Sequence, residues 1–522
     1  MKPYIRSLQI LIAAITLLIG GCSTEHFEDT QKLDRTPSID PDYADVTIPP
    51  NIAPMNFRIQ EDGNFFRITV SGSSNKQKFS VTSADGIVRF PEDDWKEMLG
   101  SNKGNTIEIQ ISSSKKEANT LKQFRNIQMN VANEPIDSYL AYRLLYPGYY
   151  SWSKMKIMQR SLTSFHEESL IENQILEKNC ANCHSFNQNN PDEFMIHIRG
   201  SKGGTYFGEN GKLNRTALKA ENMPGGATYP SWHPGGRYVA FSSNKVQQSF
   251  YAHPQKSIEV YDKASALVLY DREKNEMLYI REQDTTDHMQ TFPSWGPEGK
   301  YLYFSRTRQV TENYNVQNVK DIHYDLARKR FNPETRSFGK TEIVFDASAR
   351  DKSASFPKIS PDGKHLVFTL HDYGTFPIWH KESDLYMLNL QNGKVEKLPV
   401  NSDETESYHT WSSNGRWLVF SSKRRDGRSA RPYFTWIGPS GEVGKPFVLP
   451  QEDPTRYDRM LKTFNIPEFV KGRIDFEPRD FARAAGQQSL QAKAGNAVDS
   501  IQTWYRKKDK KGDDETDWGL HE

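Results

Sequence analysis

Residues 180–186 read CANCHSF: two thiols three positions apart, followed at once by an imidazole. Four readings compete for such a pattern. In C-x-x-C-H both sulfurs can add to the vinyl groups of a haem while the adjacent histidine reaches the iron from one side, the attachment pattern of haem c. Cys180 and Cys183 with His197 and a fourth ligand could instead hold zinc. They could form a redox dithiol or a simple disulfide, or the pattern could be an accident. The chain has only three cysteines, Cys22, Cys180 and Cys183, so a four-sulfur zinc site has no ligands. No βαβ pattern of a thioredoxin-like fold surrounds the pair. Covalent haem on Cys180 and Cys183, with His184 on the iron, is the expectation.

The other side of that iron needs a ligand or an open position. Met195 and His197 lie two apart in a predicted strand, "FMIHIRG" (194–200), so alternation puts them on one face with Arg199. His197 is the expected distal ligand and Met195 the next candidate. His166 and Met223 are further candidates. Arg199 is placed to pair with a haem propionate. The competing readings are ordinary ones: Met195 as core, His197 as a hydrogen-bonded histidine inside a sheet. A flat apolar wall is expected from Phe186, Phe194 and the aromatic-rich run from Tyr146 to Trp152.

These residues need elements to position them, and the chain repeats itself. "YPSWHPGGRYVAFSSN" (229–244), "FPSWGPEGKYLYFSRT" (292–307), "FPKISPDGKHLVFTLH" (356–371) and "YHTWSSNGRWLVFSSK" (408–423) share one pattern. Each has an anchor (Trp232, Trp295, Ile359, Trp411), then a turn ending in Gly and a basic residue, then a short β run. A second hairpin follows each copy. Two hairpins make a four-stranded sheet that cannot bury both faces alone, so neighbours must stack around an axis as a β-propeller. Upstream, residues 180–218 have the same layout, with CANCH where the other copies carry the anchor and turn. Residues 141–162 supply one more unit. Five or six blades are expected, and six requires strand exchange between the start and the end of the propeller.

The four repeats resemble the WD40-like repeat of TolB-type propellers over roughly residues 225–450. Only the third copy has the Pro-Asp-Gly turn common in that family. "YPGYYSW", "CANCHSF" and "HIRGSKGGT" resemble a group of TolB-like lipoproteins of Bacteroidota. The resemblance implies a propeller in the bacterial cell envelope and an association with envelope proteins.

The N-terminus supports that compartment. Lys2 and Arg6 precede an apolar run, "LQILIAAITLLI" (8–19), too short to span a bilayer comfortably. "IGGC" resembles the lipobox of bacterial lipoproteins, which implies cleavage before Cys22 and acylation of its thiol. The acidic stretch after Cys22 resembles a surface-export signal of some Gram-negative lipoproteins, so outer-membrane anchoring is expected, on the periplasmic or the surface face. Residues 22–49 are expected as a tether, and 50–133, with strict alternation and turns at Asp62-Gly63 and Asp85-Gly86, as an immunoglobulin-like β-sandwich. The propeller then spans 134–470, and 471–522 form a helical, charged tail.

The predicted fold class is thus all-β: a propeller of five or six four-stranded blades preceded by a small sandwich, with a short helical C-terminal segment. The 522 residues exceed one ordinary domain. A formal net charge of +2 gives no reason to expect nucleic acid. Electron transfer in the envelope is the first expectation, through an unidentified redox partner. A non-catalytic interaction scaffold, with a structural cysteine pair or zinc, is the alternative. A propeller hydrolase is the third reading, disfavoured because no G-x-S-x-G is present and no room remains for a hydrolase domain after 450.

Overall fold

The computed structural model describes residues 27, 29–73, 77–115, 120–147, 154–220, 223–250, 258–280, 288–308 and 318–495. The protein is all-β and contains a propeller of six blades. Blade 2 is built from Ala181–Phe186, Glu193–Ile198, Gly204–Glu209 and Lys212–Ala217. Blades 3, 4, 5 and 6 begin with Ala227–Trp232, His288–Trp295, Ser353–Ile359 and Glu406–Trp411, and each adds three antiparallel strands outward. Blade 1 closes the circle. Its innermost strand is Thr463–Val470, from the far end of the chain, and it pairs antiparallel with Tyr139–Leu145. The expected strand exchange is therefore present, and the six-blade alternative holds.

The repeated turns explain the first hairpin of each repeat. Gly236, Gly299, Gly363 and Gly415 all have φ near +70°, a conformation that a side chain resists and glycine adopts freely. The anchors then fill the gaps between blades. Trp232, Trp295 and Trp411 are buried at equivalent positions, Ile359 packs beside its neighbours, and Phe186 and Phe469 take the same place in blades 2 and 1. Trp411 donates its indole N–H to the Lys358 carbonyl at 3.1 Å, and Trp232 donates to that of Ser185 at 3.3 Å. Each of these anchors therefore reaches across to the innermost strand of the preceding blade.

The N-terminal unit departs from the expected tether. Within 22–49, three short strands, Asp29–Lys32, Ile39–Asp40 and Val46–Ile48, join the two sheets of this unit. Tyr43, Val46 and Ile48 are fully buried, which a solvated tether would not allow. Helix α1 (Glu92–Ser101) was also not anticipated, although Pro91, the acidic first turn, and Trp95, Met98 and Leu99 on one buried face are ordinary helix signals. The core of this unit is continuous with blade 6: Met55, Phe57 and Trp95 belong to one apolar cluster with Trp417, Phe434 and Phe447. Arg425 clamps Asp40 with two hydrogen bonds of 2.9 and 2.8 Å.

Of the helical segment expected over 471–522, helix α2 (Pro478–Ala485) is present, but the chain then departs from that expectation and runs on as an extended strap. Leu490–Gln491 pairs parallel with the outer strand of blade 2, and Lys493–Ala494 with that of blade 3. Among the described residues no helix is long and apolar enough to cross a membrane. The apolar N-terminal run expected as a signal sequence, Cys22 with its expected acylation, and the charged end of the chain lie outside the described residues.

Replacing Trp295 with Ala removes a large buried aromatic between blades 3 and 4. The expected loss is about 3–5 kcal/mol, read from urea unfolding. A loss below about 1 kcal/mol would place Trp295 at the surface.

Candidate functional site: the central channel

The innermost strands share one backbone irregularity. Each carries a β-bulge whose extra residue has positive φ without being glycine: Ile466, Cys183, Tyr229, Phe292, Phe356 and Tyr408, at +44° to +54°. Such a conformation costs roughly 1–3 kcal/mol for a side-chain-bearing residue, so six of them in one ring form a built feature. The bulges turn their side chains toward the axis. Ring centroids of Tyr229–Phe292, Phe292–Phe356 and Phe356–Tyr408 lie 4.7, 4.1 and 5.0 Å apart. Ile258, Val260, Phe376 and Ile378 extend this aromatic ring into an apolar basin.

Two positions beyond each bulge is a second ring: Ser185, Ser231, Ser294, Lys358, Thr410 and Glu468. The six bulge residues, together with Ser185, Lys358, Thr410 and Glu468 of the second ring and with His184 and His409, line a cavity of about 80 Å³. Its chemistry is concentrated on one side. Burial pushes the Glu468 carboxyl up to about 7, against the opposing effects of Lys358 and the Phe186 N–H. Burial also lowers the Lys358 ammonium, with Glu468 opposing. His184 is pushed down to about 4 by burial and then by Arg143, and His409 down to about 3, chiefly by burial. Both imidazoles are therefore neutral at physiological pH.

CANCH is the bulged start of blade 2, and the bulge decides where its residues point. Asn182 pairs with His197, but His184 pairs with Ile196, because Cys183 is the extra residue between them. In an unbulged ladder His184 would stand opposite Met195. One inserted residue moves it to the other face of the sheet. There His184 sits toward blade 1, with Nε2 4.0 Å from Glu468 Oε2. Met195 and His197 share a face, as the alternation predicts, but it is the opposite one. Met195 packs with Trp232 and Phe241 between blades 2 and 3, and His197 Nδ1 shares a 3.1 Å hydrogen bond with Thr205. Burial, then Arg199, holds the His197 imidazole low. The pairing of His184 with His197 or Met195 as two axial ligands of one iron is therefore corrected. The further candidates also lie elsewhere: His166 is exposed beside Glu168, and Met223 accepts the Ala220 N–H in the blade 2–3 core.

The remaining predicted residues divide in the same way. Cys183 lines the cavity, whereas Cys180 packs in the apolar cluster between blades 1 and 2 with Leu145, Phe186 and Phe194. No disulfide joins them. The Arg199 backbone N–H donates to the Cys180 carbonyl at 2.9 Å, so Arg199 stands at the end of the strand where CANCH begins. Phe186 and Phe194 contribute to the interblade core, and residues 148–152 of the expected aromatic wall lie outside the described residues.

The donor set fits a c-type haem in one respect. His184 is buried with the Ile466 and Ala141 carbonyls beside its ring and neither nitrogen in a hydrogen bond of good geometry, so one nitrogen could be held by a carbonyl while the other meets a metal. The packing does not match a formed porphyrin pocket. Cys180 is held in the interblade core, and the described cavity is well below the roughly 300 Å³ at which cofactor-sized sites begin. Among the described residues no group of three or more His, Cys, Asp or Glu side chains is arranged to hold a metal ion, so the zinc alternative gains no ligand set.

Sequence reasoning missed the aromatic ring, although its signal is plain. An aromatic residue directly precedes Pro or His in "YPSW", "FPSW", "FPKI" and "YHTW". It also missed Arg143, buried beside CANCH and donating to Asn182 Oδ1, and the Lys358 and Glu468 pair, whose residue types interrupt an otherwise Ser/Thr ring.

Comparisons with solved structures return propellers. The oligogalacturonate lyase of Vibrio parahaemolyticus is 11% identical and covers 57% of this chain and 92% of its own, at a TM-score of 0.33. Prolyl oligopeptidase B of Galerina marginata is 9% identical, covering 66% of this chain and 42% of its own, at 0.33. A puromycin-hydrolyzing peptidase of Mycobacterium tuberculosis is 11% identical, covering 66% and 49%, at 0.34. The chain thus spans under half the length of either peptidase. Likeness at this level carries nothing about activity. No protein-family model matches the chain, and no curated protein matches it.

The raised Glu468 titration has a measurable sign. The unfolded carboxyl loses its proton near 4.5 and the folded one near 7, so its contribution is full below 4.5 and is lost as pH rises through 7. Glu468→Gln should gain stability relative to the natural chain across that window, by up to roughly 3 kcal/mol. Urea unfolding at pH 4.5, 6 and 8 checks this. A stability difference that does not change with pH would mean that the carboxyl is not held neutral.

Proposed function

We propose that this chain is an exported, lipid-anchored β-propeller of the bacterial cell envelope that carries a covalently attached haem c on Cys180 and Cys183 and serves electron transfer. The observation that carries the reading is His184: a fully buried, neutral imidazole in a C-x-x-C-H sequence at the channel of a rigid propeller, with the Ile466 and Ala141 carbonyls beside it but no hydrogen bond of good geometry. Cys180 and Cys183 would hold the group and His184 its iron. Tyr229, Phe292, Phe356 and Tyr408 would supply the apolar face. Haem would bring the one-electron chemistry that no side chain here provides. The second axial position is left to a ligand other than Met195 or His197, or open. Attachment requires Cys180 to leave the interblade core, and this demand is where the reading is most exposed to test. The resemblance of the repeats to TolB-type propellers, the lipobox-like IGGC and the acidic stretch after it support the outer membrane as the location.

The interaction-scaffold reading is favoured by a different observation, the tight packing of Cys180. Pyridine haemochrome spectra separate the two. Full-length protein produced with a c-type maturation system should be red and show a haemochrome that survives denaturation. Cys180→Ala or Cys183→Ala should abolish the two-thioether signature. Colourless natural protein would remove the haem reading and leave the scaffold.

The anchor is tested independently. Cys22→Ala should no longer be acylated and should leave the membrane fraction or accumulate uncleaved. Unchanged fractionation and mass would refute acylation at Cys22.

A further inference from the structure

The second and third strands of blade 3 run on well past the blade. Tyr238–Phe250 and Ile258–Asp271 pair with each other along their length. The first strand of the blade accompanies them only as far as Ser243, and the fourth only from Val268 onward. From Asn244 to Phe250 and from Ile258 to Ser265, each strand of this ribbon therefore pairs only with the other among the described residues. An isolated two-stranded ribbon is marginally stable, so side chains must hold it in place. They hold it over the channel. Val246, Ile258 and Val260 pack in one apolar cluster with five of the six bulge residues and with Phe376 and Ile378 of blade 5.

The ribbon is pinned by polar contacts at both ends. At its base is a bulge with Lys263 as the extra residue: Lys245 pairs with Ala264, and Val246 with Asp262. A bulge interrupts the ladder and re-aims the strand beyond it. Asp262 is fully buried there. Its Oδ2 accepts from Asn244 Nδ2 at 2.9 Å, while Oδ1 has no partner. Asn244 Nδ2 also donates to Thr291 Oγ1 of blade 4 at 3.1 Å. Toward the other end, Glu259 is only 2% exposed and meets residues 372–383 of blade 5. Its Oε2 accepts the Tyr373 hydroxyl at 3.1 Å, and its Oε1 lies 3.8 Å from Nε2 of His380. The ribbon thus reaches from blade 3 past blade 4 to blade 5. We propose that it is a hinged lid: turning at the bulge and releasing Glu259 from Tyr373 and His380 lifts it off the aromatic ring and opens the channel to solvent at that end. The apolar underside favours the closed state. The closed state also buries a carboxyl at each pin, one of them incompletely bonded, and that cost keeps the open state within reach of local unfolding. Lids of this kind control access to an enclosed site.

The lid does not rest on the haem reading, and its test uses full-length protein produced without haem maturation and kept reduced. Cys183 reports on it, because this thiol belongs to the ring beneath the ribbon and is 4% exposed, whereas Cys180 sits in the interblade core. Iodoacetamide is added under native conditions, and peptide mass spectrometry reads the two thiols separately. Tyr373→Phe combined with Glu259→Gln should speed alkylation of Cys183 at least tenfold and that of Cys180 less than twofold. An unchanged rate at Cys183, or equal acceleration of both thiols, would overturn the lid. If that variant does not fold, hydrogen exchange on the natural protein decides. The hydrogen-bonded amides of 246–250 and 258–262 should exchange as one block, at least tenfold faster than those of 238–243 and 266–271 in the same strands. Equal protection along the strands, or a gradient that only frays inward from residues 250 and 258, overturns the proposal.

Discussion

Six left-handed residues, one per innermost strand, are the constraint on which the rest of this channel depends. A β-strand that ran regularly down the axis would alternate its side chains between the two interblade gaps and leave the channel lined mainly by backbone. The extra residue of a bulge breaks that alternation. It sends Tyr229, Phe292, Phe356 and Tyr408 inward to touch one another, and it resets the parity so that the next-but-one residue faces the cavity while the anchor after it returns to the gap. The strain at each bulge is sustained because the anchors on either side are locked. Trp411 and Trp232 are hydrogen-bonded to the preceding blade.

The same constraint governs CANCH. Its second half is the blade 2 version of the repeat, with Cys183 in the place of an aromatic residue and His184 in the place of proline or of His409. This common position explains why Cys183 meets the cavity and why His184 turns toward blade 1. It also separates the two thiols into different environments, one in the channel and one in the interblade core. Any group that uses both must therefore work at the boundary between blades 1 and 2. That boundary is the closing one, where Thr463–Val470 from the end of the chain meets Tyr139–Leu145. A chemistry that loosened this seam would act on the closure of the propeller as well as on its site.

Charge in the channel is arranged sparingly. A half-buried ammonium and carboxyl without a direct ion pair are expensive to hold, and the fold lowers the expense by raising the Glu468 carboxyl to about 7 and keeping both histidines neutral. The result is a small polar chamber under an aromatic ring, with Lys358 and Glu468 on its wall.

Much of this was legible without coordinates. The four repeats, their glycine turns and their anchors dictate stacked four-stranded sheets, because alternating apolar strands with tight turns have no other way to bury both faces. The CANCH unit was recognisable as a further blade from its layout alone, and the shared face of Met195 and His197 follows from the two-residue period of a strand. Three things were decided only by tertiary structure. Bulges leave no fixed mark in residue order, so a single inserted position at Cys183 carried His184 away from the face on which His197 and Met195 lie. The residues expected as a tether became strands because Tyr43, Val46 and Ile48 gain a core shared with blade 6, a partner that lies some 400 residues away in sequence. And Lys358 and Glu468, 110 positions apart, meet only because the circle closes with the last strand of the chain beside the first.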